Sequence, residues 1–147
     1  MPGFKGQALY KVDSKSRVAI PAKMRSALNP EAMSTFTITR GFEQCIYLYP
    51  LDRWSAMESK IAALSPYDHH ARAFTRLIMM WAEEATLDTQ GRVTLPKSLA
   101  QYAGIRQHAL ILGSLDKVEI WNQHTFQAYL EAQTEDFETL AQRAMSA

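Results

Sequence analysis

The strongest constraint on this chain is that it carries one nine-residue pattern twice. Residues 13–21 read Asp-Ser-Lys-Ser-Arg-Val-Ala-Ile-Pro, and residues 88–96 read Asp-Thr-Gln-Gly-Arg-Val-Thr-Leu-Pro. Asp, Arg, Val and Pro recur at identical spacing, the signature of an internal structural repeat. Each copy follows a strand-like stretch, residues 7–12 and 83–87, and each precedes a second matching block. That block covers residues 36–41 and 45–49 in the first copy, and 109–114 and 117–121 in the second. Gly41 is set against Gly113 and Tyr49 against Trp121, so the offset falls from 75 to 72 along the repeat.

The local chemistry predicts the same element series in both copies: strand, turn, short strand, short helix, strand, turn, strand. Asp13 and Asp88 open turns by capping their own backbone, and Gly91 supplies positive φ where the first copy has Ser16. Val18-Ala19-Ile20 and Val93-Thr94-Leu95 read as short strands. Pro21 and Pro96 suit a first helical turn, with helices over 22–28 and 97–102 and a stop at Gly104. A unit of about 45 residues buries too little apolar surface to be stable alone. Two units sharing one core about a pseudo-twofold axis solve that problem. The expected fold is mainly β with α (α+β): two repeats intertwined as one β-domain, with linker helices and a C-terminal helix.

Helical periodicity accounts for the rest. Residues 51–64 place Leu51, Trp54, Met57, Ile61 and Leu64 on one face. Residues 70–81 do the same with Ala73, Leu77, Met80 and Trp81. Residues 125–145 form one acidic helix with a stripe of Phe126, Tyr129, Leu130, Phe137 and Leu140. The resulting boundaries are repeat 1 over 7–54, a helical linker over 55–82, repeat 2 over 83–126 and a C-terminal helix over 127–147.

Net charge is only +1, but its distribution is uneven. Residues 1–77 hold eleven Lys/Arg against six Asp/Glu, and residues 78–147 hold five against nine. Lys5, Lys11, Lys15, Arg17, Lys23 and Arg25 crowd the first 25 residues, where Asp13 is the only acid. A local basic patch on a near-neutral protein suits a polyanion bound through one face.

Two copies of D-x-x-[GS]-R-V-x-[IL]-P resemble the SpoVT-AbrB family of swapped-hairpin DNA-binding modules. The tandem arrangement, the opening Phe4-Lys5-Gly6-Gln7-Ala8-Leu9-Tyr10-Lys11-Val12-Asp13, the segment Tyr47-Leu48-Tyr49-Pro50-Leu51 with Trp54, and Val118-Glu119-Ile120-Trp121 resemble the MraZ family within it. The resemblance covers nearly the whole chain. It implies a transcriptional regulator that binds spaced repeats in duplex promoter DNA as a ring-shaped homo-oligomer, repressing the division and cell-wall genes that include its own. It ties Asp13, Arg17, Asp88 and Arg92 to DNA contact, and departs from the family pattern at Ser16.

Arginine grips phosphate or guanine with two parallel hydrogen bonds, so Arg17 is the expected reader. Lys11, Lys15, Lys23 and Arg25 would supply phosphate contacts around it. Arg92, close in sequence to Glu83, Glu84 and Asp88, is expected mainly to support the fold. The alternative for each Asp–Arg pair is an internal ion pair that only holds its turn.

Other functions fit less well. A shared-proton aspartate dyad is opposed by an arginine four residues beyond each aspartate, so no enzyme is expected. His69, His70, His108 and His124 lack ligand spacing beyond one adjacent pair that should diverge on a helix, and no metal or cofactor is expected. Cys45, the sole cysteine, reads as a buried strand thiol. Neither a secretory h-region at the N-terminus nor an apolar run long enough to span a bilayer is seen, so no membrane partner and a cytoplasmic, nucleoid-associated location are expected. No small-molecule substrate is expected. The alternative role is an AbrB-type antitoxin or interaction module without promoter-specific regulation.

Overall fold

The protein is described by a computed structural model over residues 3–146. Eight strands and six helices follow in chain order. The first repeat contains β1 (Gln7–Lys11), β2 (Arg17–Ala19), α1 (Ala22–Arg25), a 3-10 turn (Pro30–Ala32), β3 (Thr35–Arg40) and β4 (Ile46–Pro50). Then come α2 (Leu51–Ala62) and α3 (His69–Met79). The second repeat contains β5 (Glu83–Thr86), β6 (Arg92–Thr94), α4 (Lys97–Ala103), β7 (His108–Ser114) and β8 (Lys117–Trp121), followed by α5 (Gln123–Glu131) and α6 (Phe137–Met145).

The strands form a six-stranded antiparallel sheet in the order β1-β7-β8-β4-β3-β5 and a two-stranded ladder β2-β6. That order is a palindrome of the two repeats about an axis between β8 and β4. Neither repeat keeps its own first hairpin. β1 pairs with β7 of the other repeat, β5 pairs with β3, and β2 pairs with β6 around Val18↔Val93. The expected intertwined domain is therefore present.

Burial explains why the exchange holds. Val18, Ile20, Val93 and Leu95, from the two central strands and the residues after them, are at most 2% exposed. They share one core with Phe36, Ile38, Leu48, Leu99, Ile111, Val118 and Ile120. Each such side chain contributes about 1.5–3 kcal/mol when fully buried. Reciprocal backbone bonds lock the two turns: Ile20 N–H donates to Gly91 O at 3.0 Å, and Leu95 N–H donates to Ser16 O at 2.8 Å. Pro21 and Pro96 sit at the N-caps of α1 and α4 with φ of −53° and −57°, one position earlier than their expected place in the first turn. Gly104 ends α4 in the left-handed conformation, φ 68°, as its position implied.

Three sequence expectations are corrected. The C-terminal segment is two helices, not one. Asp136 accepts the Thr139 N–H at 2.8 Å and starts a new helix, and this local cap outcompetes continuation through residues 132–135. On α3 the buried residue is Ile78, at 2% exposure, whereas Leu77 and Met80 of the expected stripe are 47% and 70% exposed. The repeat offset contracts in two steps. Ile38 pairs with Leu48 and Ile111 with Ile120, which makes Arg40 the counterpart of Gly113 and leaves Gly41 opposite Ser114. The two glycines answer different needs. A Cβ at Gly41 would run into the Cys45 thiol, and a Cβ at Gly113 would lie 2.6 Å from Lys5 Cα, where the N-terminal segment crosses.

The second collision is with backbone, so the neighbour cannot step aside cheaply. Gly113→Ala is expected to lower unfolding free energy by about 1–3 kcal/mol in urea titration, the usual range for overpacking. Gly6→Ala, with open space around its Cβ but φ of +89°, reports backbone strain alone. Equal losses in the two variants would refute the steric reading.

Candidate nucleic-acid interface

The two Asp-x-x-x-Arg turns adopt one hydrogen-bonded geometry. Asp13 Oδ1 accepts the backbone N–H of Lys15 and of Arg17, both at 2.9 Å, while Oδ2 accepts Arg17 Nε at 2.7 Å. Asp88 does the same with Gln90 N–H, Arg92 N–H and Arg92 Nε, at 2.9, 2.9 and 2.8 Å. Each turn is closed by Asp N–H to Arg O, at 3.0 and 2.9 Å. The spacing follows from this geometry: a carboxylate of Asp length can bond the N–H groups two and four residues on only if the chain doubles back between them.

The aspartates are held ionised. Backbone donation from Arg17 is the main cause lowering the Asp13 pKa, with Arg17 Nε and the Lys15 N–H adding to it. Asp88 is lowered in the same way, chiefly by the Arg92 N–H. A pair of carboxylates each committed to its own guanidinium has no proton to share, which bears directly on the dyad alternative.

The β2–β6 ladder sets the two turns beside each other, and Arg92 Nη1 lies 3.7 Å from Asp13 Oδ2. Asp13 thus faces both arginines. The side chains of Arg17 and Arg92 remain 32% and 24% exposed. Among the described residues, Arg17 shows no partner for its two Nη atoms, so the fork end is available to a ligand. The ion-pair role and the ligand-gripping role are compatible, because Nε serves the turn and the Nη atoms do not.

The expected basic residues are only partly gathered. Lys11, at the end of β1, and Lys15, in the turn that Arg17 closes, are both exposed. Lys23 is exposed on α1. Arg25 is placed elsewhere: Nε donates to Ile20 O at 2.9 Å, and its guanidinium covers Gly91 in the second turn. This sets Arg25 against the second turn, beside its acidic strand β5. Beside the first turn lies the loop before β7, which was not among the expected site residues. Val12 N–H donates to Gln107 O at 2.8 Å, and Lys11 pairs with His108. No local signal marks this loop; only strand pairing between repeats brings it there.

Ser16 has φ of 61° and Gly91 of 74°, so the turn does require the left-handed region in both copies. A Cβ at Gly91 would lie 2.7 Å from Arg25 Cζ. The repeat counterpart of Arg25 is Ala100, a small side chain where the first turn carries Ser16. The serine and the small residue occur together, as do the glycine and the arginine.

Away from this face, His69 and His70 do not diverge. Their rings are 4.0 Å apart, and with Asp68 they place ligand atoms within 4.8 Å of one another, all exposed. Asp68 is already occupied in capping α3 through His70 N–H. Cys45 is fully buried, and burial pushes its thiol pKa up, away from reactivity.

Two interleaved hairpins, each closed by an Asp-x-x-x-Arg turn and sharing one core, define a tandem swapped-hairpin protein. The chain belongs to the MraZ family: the family described as "MraZ protein, putative antitoxin-like" matches residues 4–77 and again 78–147. Curated relatives agree. "Transcriptional regulator MraZ" of Natranaerobius thermophilus is 38% identical over 95% of this chain and 94% of its own length. The protein of the same name in Shewanella violacea is 39% identical over 90% and 88%, and that of Clostridium beijerinckii 37% over 95% of each. These relatives are named as regulators, not enzymes. Each family match takes in a hairpin unit together with helices that follow it.

Ser16→Gly removes a left-handed penalty of about 1–2 kcal/mol while adding unfolded-state entropy of about 0.4–1, so a net gain of roughly 0.5–1 kcal/mol is expected by chemical denaturation. Gly91→Ser should destabilise by more than that gain, since Arg25 must also be displaced. Depressed carboxylate pKa values make the stability from Asp13 and Asp88 complete above the ordinary aspartate value of 3.8 and lost as pH falls through the folded-state values. Asp13→Asn/Asp88→Asn should therefore be less stable at pH 7 and show a flatter acid limb below pH 4 than the parent; parallel acid limbs would contradict the assignment.

Proposed function

We propose that this protein is a sequence-specific DNA-binding transcriptional regulator in which the first turn reads duplex promoter DNA through Arg17. The observation that carries this reading is the first turn itself, with an arginine fork free at its tip, held by an ionised Asp13 and flanked by Lys11 and Lys15. Bidentate donation to guanine in the major groove uses the Nη atoms that the turn leaves free, and each such pair is worth about 1–3 kcal/mol of discrimination. Lys11, Lys15 and Lys23 contact phosphate and set the register. Arg92 supports the turn through Asp13 and Asp88. The regulated genes, by resemblance to the family, are the division and cell-wall cluster including its own gene, and the effect is repression. A DNA partner places the protein in the cytoplasm, on the nucleoid.

One basic patch of this size gives modest, salt-sensitive affinity. Several copies on one homo-oligomer, a ring by family resemblance, engage spaced DNA repeats together and multiply it. Phe42, Leu77, Met80 and Phe137, 61%, 47%, 70% and 79% exposed, offer apolar surface for subunit contacts.

Footprinting of the DNA upstream of the protein's own gene tests this directly, with protection of regularly spaced short repeats expected. Arg17→Ala should abolish that protection at moderate salt while leaving the fold intact by circular dichroism. Retained protection would remove Arg17 as reader. Light scattering should show an oligomer; a monomer that still binds its promoter tightly would overturn the multivalent part.

A further inference from the structure

We infer that the second repeat also touches DNA, not through its own turn but through Arg106 and His108, which line a groove beside the first turn that receives the sugar-phosphate backbone. This rests on the proposed DNA-binding function and changes how the labour divides between repeats. The groove is open, has a volume of about 740 Å³, and is lined by Leu9, Arg106, Gln107, His108 and His124 among others. Among the described residues, no carboxylate lines it.

Strand exchange joins this groove to the reader. Lys11 and His108 are direct partners across the β1–β7 ladder, so their side chains stand about 5 Å apart on one face. Val12 N–H donates to Gln107 O at 2.8 Å. Asp13 follows at once, and with it the turn that ends at Arg17. Lys11 and Lys15 of repeat 1 and Arg106 of the loop before β7 therefore lie on one surface, although roughly 90 residues separate them in sequence.

The pseudo-twofold axis supplies the control. Strand pairing makes Met33 the counterpart of Arg106, Thr35 of His108, Glu84 of Leu9 and Asp52 of His124. At the second turn the corresponding surface thus exposes Glu84 in place of Leu9 and the uncharged Met33 in place of Arg106, while Asp52 is turned inward, with one oxygen buried and the other accepting from Asn29 Nδ2. The equivalent strand β5 exposes Glu83 and Glu84 where β1 has Ala8 and Leu9. Two copies of one fold thus differ in charge at equivalent places: β5 exposes Glu83 and Glu84, and Arg25, the cation set against the second turn, is bonded to Ile20 O, whereas the groove beside the first turn exposes Arg106 with no acid among its described lining residues.

The ligand this chemistry recognises is the phosphate backbone of duplex DNA. Arg106 acts as a phosphate contact with no share in base choice, and His108 as a hydrogen-bond donor beside Lys11. The test is a salt series of affinities for promoter and scrambled duplexes, using the full chain and the variants Arg106→Ala, Arg106→Lys, His108→Ala, Arg17→Ala and Lys60→Ala. Lys60 is an exposed cation on α2, which packs against β3 and β4 away from the groove.

Arg106→Ala is expected to weaken both duplexes several-fold by the same factor and to lower the slope of log K against log salt by about 1. Arg106→Lys should restore most of the loss, and Lys60→Ala should match the parent. If Arg106→Ala equals Lys60→Ala while Arg17→Ala loses promoter binding, the inference fails and the reader assignment stands. If Arg17→Ala binds normally while Arg106→Ala does not, the groove stands and Arg17 is not the reader. A parent protein that binds neither duplex overturns both.

Discussion

Every feature of this molecule depends on the exchange of first hairpins between its two repeats. Val18 meets Val93 at the centre of the β2–β6 ladder, and both are essentially excluded from solvent. A strand of three residues has no independent stability, and neither β2 nor β6 has a partner within its own repeat. Pairing across the pseudo-twofold satisfies their backbone groups and closes one core over both. The Asp-x-x-x-Arg turns lie at the ends of these short strands, so the same pairing that makes the fold also sets Asp13, Arg17, Asp88 and Arg92 side by side.

Within that frame the aspartates do the local work. Each uses one oxygen on two backbone N–H groups and the other on the arginine Nε, so the guanidinium is aimed rather than merely neutralised. Ionised acceptors make such bonds stronger than neutral ones. Equivalence ends at the surface. Arg25 crosses to cover Gly91, while its counterpart Ala100 is too small to cover Ser16. β1 presents Leu9 and Lys11, where β5 presents Glu84 and Thr86. The two halves share a core because burial demands apolar or hydrogen-bonded side chains that fit, and they diverge outside because solvent tolerates either charge.

Much of this was readable without coordinates. The repeated Asp-x-x-x-Arg-Val pattern marked the turns, and their left-handed fourth position was visible from Gly91. Letters and register agree in matching Tyr49 to Trp121, one late in β4 and the other the last residue of β8. They disagree at Gly41: identical letters match it to Gly113, whereas register sets it opposite Ser114, because the two hairpin loops differ in length. Periodicity favours Leu77 and Met80 on α3, yet Ile78 is buried, since a short helix on one sheet face offers several apolar faces. The break at Asp136 was hidden in an otherwise continuous period; a cap and an interior helical residue look alike until the Thr139 N–H is seen to bond.

By itself the sequence determined the repeat, the turn chemistry and the α+β class. Those properties are local: they depend on residues a few positions apart, whose hydrogen bonds and φ values follow from side-chain type. Only the tertiary structure decided which repeat each basic residue serves. It set Arg25 against the second turn and brought Arg106, in the loop before β7, and His108, at the start of β7, to the first. The physical reason is that strand exchange pairs residues separated by almost a hundred positions, and the register of that pairing is set by the shared core, which no local pattern encodes.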